Sequence, residues 1–121
     1  MNHEIRLFFL FQVAIFSDSQ CRPLVEGDLS FPSDWYVNST PGGTFNNVAC
    51  EIRSCELACK PQYVVLAVGT NDAGQHLQIG RAKLDFANLI ATTEARFPGV
   101  KVCTVIFQYF LCIPHDMLMF S

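Results

Sequence analysis

Tyr63-Val-Val-Leu-Ala-Val68 is an unbroken, valine-rich apolar run that stops on Gly69-Thr70-Asn71-Asp72. A strand with one wet face alternates apolar and polar residues, so a run without alternation reads as a strand covered on both faces, as in the middle of a parallel sheet. Parallel neighbours need long crossovers, usually helical. This one segment therefore requires a helix before it and another after it.

The flanking sequence supplies both. From Thr44 to Lys60, Phe45, Val48, Ala49, Ile52, Cys55 and Cys59 recur at helical spacing until Pro61 ends the pattern. From about His76 to Phe97, Ile79, Ala82, Phe86, Ile90 and Phe97 share one face while Arg81, Lys83, Asp85 and Arg96 fall on the wet side, and Pro98-Gly99 closes the helix. Ile5 to Phe16 contains a first buried strand, and a short helix starts at Ser19 or Gln20. Trp35 to Ser39 is a weaker second strand leading into the turn Thr40-Pro41-Gly42-Gly43, and Val100 to Phe107 is the last strand. Strands alternating with helices predict an α/β fold, a three-layer α/β/α doubly wound parallel sheet of about four strands. With 121 residues, 50% of them hydrophobic, residues 1–121 are expected to make a single domain, incomplete at its C-terminal end.

In that arrangement the fourth strand is an edge. Val102, Val105, Ile106 and Phe107, with the apolar tail Tyr109 to Phe120, would be open to self-association through strand pairing. The alternative is that Phe110 to Phe120 folds back over that edge.

Several classes of partner are disfavoured. A net charge of −3 with 16% charged residues leaves no basic footprint, so nucleic acid is not expected. Val100 to Ile113 is too short, and too soon broken by Pro114, to span a membrane. Leu7 to Phe16 behind Arg6 has roughly the layout of a secretory signal, but Asp18 fits a cleavage site poorly and Glu4 precedes the run. A cytoplasmic chain is therefore expected, with secretion as the alternative; the sequon Asn38-Ser39-Thr40 matters only in that second case. Cys21, Cys50, Cys55, Cys59, Cys103 and Cys112 form no C-x-x-C pair. Cys55 and Cys59 would share a helical face with Cys50 near its margin, yet thiols also serve as small core residues, and neither metal nor cofactor is expected.

Ligands of doubly wound sheets bind beyond the carboxyl ends of the strands. Three polar clusters fall there: Ser17-Asp18-Ser19-Gln20, Pro41-Gly42-Gly43-Thr44 and Gly69-Thr70-Asn71-Asp72. Singly, each is an ordinary cap or turn. Jointly, SDSQ, PGGT and GTND in this order resemble the first three sequence blocks of the SGNH (GDSL-type) hydrolase superfamily, mostly esterases, lipases, thioesterases and carbohydrate deacetylases. The resemblance runs from about Ile5 to Phe107. It departs at Ser17, where the family pattern has glycine.

The resemblance implies a flavodoxin-like fold and a serine ester hydrolase acting on a small ester or acyl substrate. Ser19 would be the nucleophile, and its N–H, the N–H of Gly43 and the side-chain amide of Asn71 would be the oxyanion donors. Asp18 and Asp72 would pin the loops. The chemistry is coherent: a serine hydroxyl needs a base to become a nucleophile, and the charge it generates needs fixed donors. A helix start behind Ser19 adds a positive dipole end, glycine allows close approach, and a carboxamide donates without a proton to lose.

The family's Asp-x-x-His, which would supply the base, does not occur in this sequence. His3 precedes the first strand and His76 begins a helix as an exposed residue. His115, beside Asp116 after the fourth strand, is the remaining candidate base, although adjacent residues seldom form such a pair. The expectation is a shortened, catalytically impaired hydrolase, or alternatively a silent binding or interaction module.

Overall fold

The valine-rich run forms the middle strand of the sheet. In a computed structural model that describes residues 11–27, 29–74, 79–106 and 109–113, the strands are β1 (Val13–Ser17), β2 (Trp35–Ser39), β3 (Tyr63–Ala67), β4 (Lys101–Ile106) and β5 (Tyr109–Ile113). The helices are α1 (Arg22–Val25), α2 (Phe45–Ser54), α3 (Thr70–Gly74) and α4 (Ile79–Arg96), with a 3-10 turn at Ser19–Cys21. Sheet order is β2-β1-β3-β4-β5. The first four strands are mutually parallel, as the continuous apolar runs require.

Alternation along the strands sorts their two faces. Ala14, Phe16, Val64, Leu66 and Val102 point into one core with Phe45, Val48, Ala49 and Ile52 of α2 and Leu89 and Ile90 of α4. That shared core follows from topology. The β2-to-β3 and β3-to-β4 crossovers run in the same direction across the sheet, so right-handed connections lay both helices on one face. The β1-to-β2 connection runs the other way and carries α1, which packs on β2. The doubly wound pattern is present, and among the described residues its second layer rests on this four-residue helix. Ile15 and Cys103 on that face are nonetheless buried.

The expected open edge at β4 is corrected. β5 pairs antiparallel with β4, from Ile106 opposite Tyr109 to Val102 opposite Ile113. Only two residues separate these strands in sequence, a connection that parallel pairing does not allow. The fold-back alternative therefore describes Tyr109–Ile113; residues 114–121 lie outside the described residues.

Two helix expectations are also corrected. α2 ends at Ser54, and Cys55 is already extended with φ −66° and ψ 154°, so Cys55 and Cys59 do not share a helical face. The carbonyls beyond the helix are satisfied from α4: Arg96 donates to Leu57 O at 2.7 Å and to Cys55 O at 3.2 Å. Arg96 is thus half-buried rather than wet, with its guanidinium 4.7 Å from the centre of the Phe97 ring. Asp85 is buried as well, paired with Arg81 one turn earlier at 3.1 Å. Arg96→Ala is expected to cost about 1 kcal/mol, since water reaches part of the vacated site. A lower urea midpoint at unchanged m-value is the signature to measure.

Candidate active site at the carboxyl rim of the sheet

Register places three strand ends level with one another. Ser17 lies beside Ser39 of β2 and beside Ala67 of β3, so the loops that follow start side by side. They are then bonded together. Thr40 N–H donates to Ser17 O at 2.7 Å and Asp18 N–H donates to Ala67 O at 3.0 Å. The hydroxyls of Ser17 and Ser39 both donate to Asp18 O, at 2.7 and 2.8 Å.

The two aspartates are buried and hold backbone. Asp18 Oδ1 accepts from Gln20 N–H at 3.0 Å, capping the 3-10 turn. Asp72 Oδ2 accepts from Phe45 N–H at 3.0 Å, which ties the third loop to the first turn of α2. Thr44 caps the same helix through a reciprocal bond pair with Asn47. Asp72 Oδ1 is buried with no partner among the described residues.

Burial holds the Asp72 carboxyl above the usual carboxylate range; the Phe45 and Asp72 backbone N–H groups oppose the shift, and the charges of Asp85 and Asp18 add to it. A raised folded value means that the native state keeps the proton longer than the unfolded chain. This contribution to stability is present below the unfolded value of about 3.9 and is lost as pH rises through the folded one. Asp72→Asn keeps an acceptor for Phe45 and removes the charge. Its melting temperature, relative to wild type, is expected to rise between pH 4 and pH 7; a constant difference would remove Asp72 as the cause.

Asn71 and Gly43, 28 positions apart, meet directly: Asn71 Nδ2 donates to Gly43 O at 3.0 Å. Gly43 N–H donates to Thr40 O at 2.8 Å and closes the turn. Ser19 is exposed on the neighbouring loop. Among the described residues no hydrogen bond links it to Gly43 or Asn71, and its hydroxyl has no partner.

No histidine is placed beside this cluster by the described residues, because His3, His76 and His115 all lie outside them. The expectation about His115 thus falls outside the described residues, and the strand that precedes it in sequence, β5, is antiparallel to β4. That strand runs down the sheet, and Ile113 at its end sits opposite Val102. Val102 is three residues below Val105, which is level with Ala67, a drop of about 10 Å.

Sequence reasoning missed the parts played by Ser17, Ser39 and Thr40. Their signal was available only as register, two serines at equivalent ends of neighbouring strands. Among the described residues no group of three His, Cys, Asp or Glu side chains is placed to hold a metal ion, and no helix is long and apolar enough to cross a membrane. A cavity of about 300 Å³ opens at the other end of the sheet, between Gln12, Lys60, Gln62 and Lys101.

No protein-family model matches the chain, and no curated protein matches it. Among solved structures, the chain is similar to the esterase domain of the ZfL2-1 ORF1 protein from the zebrafish ZfL2-1 retrotransposon. The match is 32% identical and covers 74% of this chain and 53% of that one, with a TM-score of 0.43. The chain thus spans about half the length of the esterase domain it resembles.

Proposed function

We propose that this chain carries the nucleophile and oxyanion half of an SGNH-type serine ester hydrolase, with a small ester or acyl group as its substrate. The observation that carries the reading is the contact between Asn71 and Gly43 on loops bonded to the one that bears Ser19. In this reading Ser19 Oγ attacks the acyl carbonyl and gives up its proton to water, and the charge that develops on the carbonyl oxygen is met by fixed donors. The ester C–O bond then breaks to release the protonated alcohol and leave an acyl-serine that water hydrolyses. Ser19 N–H is one donor and the second amide hydrogen of Asn71 is another. Gly43 N–H joins them by sharing its hydrogen with Thr40 O. Asp18 and Asp72 keep the loops in register and take no proton from the substrate.

The reading includes impairment. No Asp-x-x-His occurs in the sequence, and none of the described residues is a histidine, so this reading assigns Ser19 no base to activate its hydroxyl. General-base assistance is typically worth 10²–10⁴-fold in rate, and turnover should fall accordingly. The same two observations favour a second reading, a catalytically silent relative whose rim binds a small ligand or a protein.

An aryl acetate assay and a fluorophosphonate probe separate the two. Slow probe attachment with ester turnover close to background is the expected result. A chain that never labels, yet binds a ligand in a manner lost on Asn71→Ala, would leave only the binding module.

A further inference from the structure

We infer that Ser17 and Ser39 are positioning residues that fix the Asp18–Ser19 peptide so that Ser19 N–H is presented as the principal oxyanion donor. The inference rests on the functional reading above, since the donor matters only if Ser19 is where the acyl group is attacked.

Both hydroxyls converge on one carbonyl. Ser17 Oγ donates to Asp18 O at 2.7 Å and Ser39 Oγ donates to it at 2.8 Å. A carbonyl oxygen has two lone pairs, so these bonds occupy its capacity and oppose rotation of the group. The peptide on the other side of Asp18 is held too, because Asp18 N–H donates to Ala67 O at 3.0 Å. Ser17 is wholly buried, and its oxygen also accepts from Cys21 N–H at 3.3 Å, which prevents its hydroxyl from swinging away.

A trans peptide is planar, with its carbonyl and its N–H pointing in opposite directions, and the described chain has no cis bond. Clamping Asp18 O on the inner side therefore aims Ser19 N–H outward. Among the described residues that N–H has no acceptor. The other two donors are partly committed: Gly43 N–H is bonded to Thr40 O, and one amide hydrogen of Asn71 is bonded to Gly43 O. Ser19 N–H is the donor whose direction the fold fixes while leaving its hydrogen unspent. The serine at position 17, read from sequence as a lapse from the family's glycine, is half of the clamp.

The test uses the full ¹⁵N-labelled chain and two independent readouts. The first is the N–H residual dipolar coupling of Ser19, which reports the direction of that bond whether or not the chain reacts with anything. The second is the rate of fluorophosphonate attachment to Ser19. Ser39→Ala, and more strongly Ser17→Ala with Ser39→Ala, should change the coupling while those of β3 and α4 stay put, and should slow attachment roughly tenfold or more. Ser39→Thr keeps a hydroxyl and should restore both. An unchanged Ser19 coupling in the double variant would overturn the clamp, and a changed coupling with an unchanged attachment rate would overturn its role in donation. A wild-type chain that never labels would count against the hydrolase reading alone, with the coupling still deciding whether the peptide is held by these serines.

Discussion

Ser19→Ala is expected to abolish fluorophosphonate labelling completely while leaving the stability of the fold within about 0.5 kcal/mol of wild type. The two halves of that expectation have separate causes. On the functional proposal, labelling requires an oxygen nucleophile at position 19, with the backbone donor and Asn71 meeting the developing charge. Stability does not depend on the hydroxyl, because Ser19 is exposed and its side chain has no partner among the described residues. A mass shift on the Ser19 peptide, present in wild type and absent in the variant, checks the first half; urea denaturation checks the second. Labelling that persists in Ser19→Ala would put the reactive group elsewhere and remove the basis of the functional proposal.

Gly43→Ala should act on the fold itself, at about 2–3 kcal/mol. A Cβ at this position would lie 2.8 Å from Thr40 O and 3.1 Å from Thr40 Cβ and Cγ2. The first of those atoms is backbone, and it already accepts the Gly43 N–H that closes the turn, so it has little freedom to retreat. Relief would open the turn and carry Gly43 O away from Asn71 Nδ2. The expected outcome is a lower urea midpoint together with a shifted Asn71 side-chain amide resonance. A midpoint equal to that of wild type would mean that the turn has slack.

The physical ground for glycine here differs from the one that sequence suggests. From the motif, Gly43 is expected to keep a side chain out of a substrate's path; in the structure the nearest obstruction is the chain's own Thr40. Other parts of the fold divide in the same way between what periodicity carries and what only three dimensions decide. The second strand spans Trp35–Ser39 as its β-branched and aromatic residues suggest, and β3 stops one residue short of the apolar run, at Ala67. The overrun of α2 arises because Cys55 and Cys59 keep helical spacing after the helix has ended. Nothing local to them reveals that a guanidinium 41 residues away satisfies Cys55 O. Asp85 and Arg96 are read as solvated because hydropathy scores a charge without its partner. β5 enters the sequence reading only as the fold-back alternative, because Phe107 and Gln108 include no glycine, proline or asparagine to mark a turn.

At the rim, residue types and their order are legible, and the bonds between them are not. GTND and PGGT reveal a strand end and a turn, but the meeting of Asn71 with Gly43 is a product of sheet order. The paired hydroxyls on Asp18 O belong to register, a property that neither serine advertises in its own neighbourhood.

The reversal at the end of β4 also bears on how the chain assembles. The three parallel pairings each wait for a long intervening stretch to close, whereas β4 and β5 are separated by two residues. Short-range contacts cost less chain entropy and form sooner. The ribbon of β4 and β5 is therefore the pairing with the lowest closure cost, whereas the rim loops that bear Ser19, Gly43 and Asn71 depend on pairings that close longer stretches of chain.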